Sequence, residues 1–152
     1  MATNKKFSEQ FKLNSSDEFT AANSRQRFFE PRSIIKRQGD QTDSVFFLES
    51  GFLALSKTAA NGRRQIINFL FPGEYCGITQ RDYFMCDIEC LSFTSLRIIS
   101  KDNFENTINN NSALMREIYD QQIYWNDGLE ELIFLLGARS TEEKIASFLI
   151  FL

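Results

Sequence analysis

Short apolar runs broken by glycine fill the middle of the chain, and one long stripe of period three to four follows them. Ser33-Ile34-Ile35-Lys36 reads as a strand closed by the turn residues Gln38-Gly39-Asp40. Ser44 to Glu49 reads as the next strand, and Ser50-Gly51 separates it from Phe52 to Lys57. Asn61-Gly62 is expected to make a tight type I′ hairpin between Phe52–Thr58 and Arg64–Phe71, since that turn needs positive φ at both central residues. Pro72-Gly73 suits the centre of a type II turn, proline presetting the first φ and glycine accepting the second, so the strand stops at Phe71. A less regular stretch from Tyr75 to Asp87 leads to two further strands, Ile88 to Phe93 and Ser95 to Ile99. The pattern predicts an antiparallel roll of about six or more strands. Residues 1–30 are polar and irregular, with Phe7, Phe11 and Phe19 as scattered anchors, and are expected to form short helical turns over one end of the core.

From about Asn111 the period changes. Met115, Ile118, Gln122, Trp125, Leu129, Leu132 and Leu136 recur at alternating spacings of three and four, along one seam of a helix, with Glu117, Asp120, Gln121, Asn126, Asp127 and Glu130 on the other faces. A helix of roughly 25 residues would be about 38 Å long, more than a small roll needs to cover its own core, and so invites a partner. The same stripe could equally pack on the roll, or do both. Gly128 is a candidate kink or close helix approach, and Gly137 sits where a C-terminal cap is expected. Ser140-Thr141-Glu142-Glu143 then reads as a capping box opening another helix, whose apolar residues Ile145, Phe148, Leu149, Phe151 and Leu152 need a core from a further domain or from the roll itself.

Composition narrows the function. The 152 residues carry 16 Phe and 43% hydrophobic content, enough for one good core. A net charge of −3 supplies no cationic footprint for nucleic-acid phosphates, so this piece is not expected to bind DNA alone. No apolar run approaches the roughly 18 residues of a membrane span, which points to a soluble, cytoplasmic protein. Histidine is absent, removing the commonest general base, zinc ligand and proximal haem ligand; without a Gly-x-Ser-x-Gly or a phosphate-cradling glycine loop with lysine, no enzyme, metal or cofactor is expected. Cys76, Cys86 and Cys90 are too few for a disulfide framework; they read as reduced thiols or as a redox element.

The framework Ile35-Lys36-Arg37-Gln38-Gly39-Asp40, Val45 to Gly51, Asn61 to Ile67 and Phe71-Pro72-Gly73-Glu74-Tyr75-Cys76-Gly77 resembles, in order and turn chemistry, the β-roll of CRP/FNR transcription regulators. The stretch from Ser100 to Phe104, the long helix, and Leu136 to Ser140 leading into Glu143 to Leu149 resemble the same family. The resemblance implies a mainly β fold with α, a jelly-roll-like β-roll of the cyclic-nucleotide-binding type. In domain terms, residues 1–110 are a sensory roll built on the turn glycines Gly39, Gly51, Gly62, Gly73 and Gly77, residues 111–137 a dimerisation helix, and residues 138–152 the first helix of a helix-turn-helix domain that the chain does not complete. It further implies a homodimer, DNA as partner through that domain, and an unidentified small-molecule effector.

The resemblance does not extend to the cyclic-nucleotide cassette. Family members that bind the nucleotide carry a glutamate after the glycine matching Gly77 and an arginine with serine or threonine some ten residues on. Here Ile78 follows, the nearby arginine is Arg81, and Asp82 to Asp87 hold no other. A buried phosphate lacking its guanidinium costs several kcal/mol, so cyclic-nucleotide sensing is not expected. An iron–sulfur sensor needs about four thiolates, and residues 1–75 contain none. Arg81, Tyr119 and Tyr124 stay as candidates for an effector pocket, although the tyrosines also suit core or interface. The competing reading is a stand-alone dimeric interaction or ligand-binding module without DNA binding.

Overall fold

A computed structural model describes residues 23–138 and Glu142. Eight strands come first, β1 (Ser24–Phe29), β2 (Ile34–Lys36), β3 (Ser44–Ser50), β4 (Leu53–Thr58), β5 (Arg64–Leu70), β6 (Tyr75–Cys76), β7 (Asp87–Cys90) and β8 (Thr94–Ser100), followed by helices α1 (Lys101–Asn110) and α2 (Ser112–Ala138). The strands form two four-stranded sheets, β1-β8-β3-β6 and β2-β7-β4-β5, antiparallel throughout. The chain passes back and forth between the two sheets, which makes a roll.

The unbroken apolar run of β3 is explained by burial on both faces. Phe46 and Leu48 point between the sheets, with Leu53, Leu55, Leu70, Phe84, Ile88 and Leu96. Val45 and Phe47 point the other way, into a second core formed with Tyr75, Ile99, Phe104, Leu114 and Ile118. The helices therefore pack on the outer face of the β1-β8-β3-β6 sheet.

Several expectations change. Residues 24–29 are a strand rather than irregular: β1 pairs with β8 from Ser24↔Ile99 to Phe29↔Thr94. Its middle residues are exposed because it lies at the sheet edge, so no apolar alternation marks it. The hairpin at Asn61-Gly62 is not type I′. Among the described residues the only non-glycine with positive φ is Arg32, so Asn61 lacks the required conformation. Instead Gly62 N–H donates to Ala59 O and Ala59 N–H to Arg63 O, with Gly62 alone at φ 79°, the wider turn that a glycine after a type I turn produces. Pro72-Gly73 makes the expected type II geometry, with Gly73 at φ 97° and Glu74 N–H donating to Phe71 O.

Helix α1 starts at Ser100, whose hydroxyl accepts from Asn103 N–H, and ends at Asn111. Asn111 also opens α2: its Oδ1 accepts from Leu114 N–H at 3.0 Å. Helix α2 runs 27 residues, about 40 Å, without interruption at Gly128 and one residue past Gly137. The capping box and apolar run after residue 139, and the N-terminal phenylalanines, lie outside the described residues.

Candidate functional site

The long helix meets the roll through the buried apolar side chains of Leu114 and Ile118 and, on the same arc, through a polar contact. Strand β6 is the edge of its sheet, and the side chain of Gln121 occupies the position a further strand would take. Tyr75 N–H donates to Gln121 Oε1 at 2.8 Å, and Gln121 Nε2–H donates to Tyr75 O at 2.7 Å. Gln121 is 2% exposed, so both bonds are shielded from water. One turn later, Trp125 Nε1–H donates to Glu74 Oε1 at 3.3 Å, while Phe71 N–H donates to Glu74 Oε2 at 2.7 Å. Glu74 is 3% exposed, and burial raises its pKa above the ordinary carboxylate value, against the two hydrogen bonds that lower it. Two helix residues four apart thus hold two consecutive residues that follow the Pro72-Gly73 turn. The turn is tied in by Leu48 N–H donating to Glu74 O and Gly73 N–H to Leu48 O.

The structure divides the seven-residue stripe of α2. Ile118 is buried in the second core, and Trp125 packs against the first. Met115, Gln122 and Leu129 are exposed. The side chains of Leu132 and Leu136 lie outside the description. With Leu114 and Gln121, the roll-facing residues occupy one arc of the helix; Met115, Tyr119, Ile123, Leu129 and Ile133, all exposed, occupy another, roughly a third of a turn away. The stripe read from the sequence falls between the two arcs. Ile133 at 62% and Tyr119 at 56% exposure are large side chains left in water.

The remaining candidates are dispersed. Arg81 is exposed, its carbonyl accepting from Thr42 Oγ1. Tyr119 carries the Arg116 guanidinium over its ring at 5.7 Å. Tyr124 is half-buried, its pKa raised by burial and then by the charge of Glu74. An open cleft of about 400 Å³ is lined by Asn23, Asn103, Asn106, Thr107, Asn110 and Asn111, and includes none of these three. Cys76 and Cys90 are buried and Cys86 half-buried, all unpaired, and burial pushes all three thiols up, away from the reactive thiolate. Among the described residues no cluster of three or more His, Cys, Asp or Glu could hold a metal. No described helix is long and apolar enough to cross a membrane.

Gly39, Gly51, Gly62, Gly73 and Gly77 all have positive φ. Residues 26–111 match the model of the cyclic nucleotide-binding domain. The chain belongs to the cyclic nucleotide-binding domain family. Its relatives put it on the CRP/FNR branch. It is 28% identical over 120 residues to the transcriptional activatory protein AadR of Rhodopseudomonas palustris, covering 79% of this chain and 50% of AadR. It is 27% identical over 122 residues to the nitrogen fixation regulation protein FixK of Bradyrhizobium diazoefficiens, covering 80% of this chain and 52% of FixK. The chain spans about half the length of the curated relatives it matches. The solved structure of FixK2 from Bradyrhizobium japonicum superposes with a TM-score of 0.72 at 21% identity, over 84% of this chain and 64% of that one, a likeness of fold.

The family's name raises the fit of a cyclic nucleotide. In this cyclic nucleotide-binding domain, a Cβ built at Gly77 would lie 3.0 Å from Ser44 O, 3.2 Å from the Phe84 ring and 3.4 Å from Phe46. Phe84 and Phe46 belong to the packed core between the sheets. Beyond Gly77 come a half-exposed Ile78 and the exposed Arg81, with no buried guanidinium among the described residues of this loop. These residues do not fit a buried cyclic phosphate.

Proposed function

We propose that this chain is the sensory and dimerising part of a CRP/FNR-type transcription regulator, without enzymatic activity. The roll receives a signal other than a cyclic nucleotide, α2 pairs with its counterpart in a second copy, and residues beyond α2 begin a helix-turn-helix domain that reads DNA. The observation that carries the pairing is the exposed apolar arc Met115, Tyr119, Ile123, Leu129 and Ile133 on the side of α2 turned from the roll. Large side chains repeating at helical spacing in water lose free energy until another surface covers them, at about 25 cal/mol per Å². A two-fold partner presenting the same arc answers that need, and regulator relatives such as AadR support the DNA-directed role.

Leu129→Glu is the test. Leu129 is 51% exposed, so the change leaves the folded protomer intact while placing two carboxylates against each other in the pair. Sedimentation equilibrium is expected to show the dimer weakened by about a hundredfold or more, with unfolding unchanged. Undiminished dimer affinity would remove α2 as the interface.

Cyclic AMP and cyclic GMP at millimolar concentration are expected to leave the thermal midpoint where it is. A ligand present at about a hundred times its Kd adds about 2.7 kcal/mol, enough to raise the midpoint by roughly 5–10 °C, so binding would be plain to see and would reverse the reading of Gly77 and Phe84.

A further inference from the structure

We propose that the paired α2 helices carry one polar layer in an otherwise apolar seam: Gln122 and Asn126 meet their counterparts across the two-fold axis, fix the pair as parallel and in register, and hold its affinity below that of an all-apolar seam. The inference rests on the pairing of α2 proposed above and names what sets its register.

The exposed side of α2 has a stricter order than an apolar arc alone. Met115, Tyr119, Gln122, Asn126, Leu129 and Ile133 follow one another at alternating spacings of four and three, and all six are exposed. That is a heptad seam, with Tyr119, Asn126 and Ile133 at its a positions and Met115, Gln122 and Leu129 at its d positions. The roll-facing residues Leu114, Ile118, Gln121 and Trp125 keep the same spacing one residue earlier, so the two stripes run side by side about 100° apart. On the exposed stripe the outer side chains are large and mainly apolar, and the middle two are carboxamides.

Those two decide what covers the stripe. A partner without polar groups at that height would strip water from Gln122 and Asn126 and give no hydrogen bond in return. A second copy answers both, because a carboxamide donates and accepts and so complements its own copy. Asn126 Nδ2–H donates to Glu130 Oε1 at 3.3 Å, and its second hydrogen and its Oδ1 can serve the counterpart. In a parallel pair a faces a and d faces d, so carboxamide meets carboxamide only in register; a slip of one heptad sets Asn126 against Tyr119 and Ile133. An antiparallel pair would set Gln122 against Asn126 instead. The parallel sense is the one that brings both C-terminal ends of α2 to the same side, as two DNA half-sites require. Polar groups at the centre of a seam cost affinity relative to leucine and select a single arrangement.

Sedimentation equilibrium of the whole chain measures the strength. Asn126 is exposed in the protomer, so Asn126→Leu leaves the fold intact, and it is expected to tighten the dimer by about tenfold or more. Asp127→Leu adds the same side chain one residue on, off the seam, and is expected to leave the affinity unchanged. Equal tightening by both variants, or none by Asn126→Leu, overturns the proposal. Register is read from Leu129→Cys chains with glutathione disulfide as oxidant, which is reduced to two thiols as the two introduced thiols close a disulfide across facing d positions. The wild-type chain, whose cysteines are buried or half-buried, is the control. Rapid linking that slows when Gln122→Leu and Asn126→Leu are added together is the expected result. Dimers that do not link, or that link equally fast without the carboxamides, overturn the proposal. If Leu129→Glu separates the dimer while Asn126→Leu leaves it unmoved, the pairing of α2 stands and the polar layer falls. If the dimer persists in Leu129→Glu, both fall.

Discussion

Gly51→Ala is expected to lower the unfolding free energy by about 3–5 kcal/mol, and Gly39→Ala by only about 1 kcal/mol. Both glycines hold left-handed φ, 99° at Gly51 and 95° at Gly39, so a side chain strains the backbone equally at either. The difference is space. A Cβ at Gly51 would lie 2.5 Å from Phe93 O, 2.6 Å from Thr94 Oγ1 and 2.8 Å from Thr94 Cα, and two of these are backbone atoms, one at the end of the β7–β8 connection and one at the start of β8, that cannot rotate away. A Cβ at Gly39 meets nothing within 4 Å. Relief at Gly51 therefore requires β8 to shift, and β8 sits between β1 and β3. Urea unfolding of the two variants measures the contrast; equal costs would mean that the β7–β8 connection yields.

Gln121→Ala is expected to cost about 2–4 kcal/mol, because it leaves the N–H and C=O of Tyr75 facing an apolar gap. Gln121→Glu separates the two bonds. Its carboxylate still accepts from Tyr75 N–H but faces Tyr75 O with no proton to donate, whereas the protonated acid can donate. The introduced acid thus has its folded pKa raised, so the variant is expected to approach wild-type stability below about pH 4 and to lose it as pH rises. Unfolding midpoints compared across pH measure this, and a stability difference independent of pH would show that the carbonyl does not need a donor.

Much of the roll was legible because its signals are local. β3 and β4 announce themselves as runs buried on both faces, and the glycines mark turns whose conformations only glycine adopts without strain. What escaped depends on the third dimension. β1 is a strand because β8 lies beside it, and its exposed Arg25, Arg27 and Phe28 carry no period. α1 is polar, with Phe104 its one buried residue, although Ser100 and Asp102 were start signals within reach of the sequence. The stripe read on α2 falls between a buried arc that faces the roll and an exposed apolar arc, because the sequence sums the two. Glu74 and Gln121 were read as turn and polar face. The trace that could have exposed Gln121 is its spacing: it falls three after Ile118 and four before Trp125, a polar residue inside the roll-facing arc.

Asn111 shares the end of α1 with the start of α2, and Gln121 and Trp125 hold α2 to the roll. Mechanically, that makes the first half of α2 part of the roll. From Asn126 to Ala138 the helix continues about 20 Å past Trp125. Displacement at the end of a rigid rod grows in proportion to its length for any given tilt at its base. Under the proposed function, a tilt of α2 at the Pro72-Gly73 turn would therefore reach the far end enlarged in proportion to that length, and the stiffness of the helix, more than the softness of the roll, would set how faithfully it arrives.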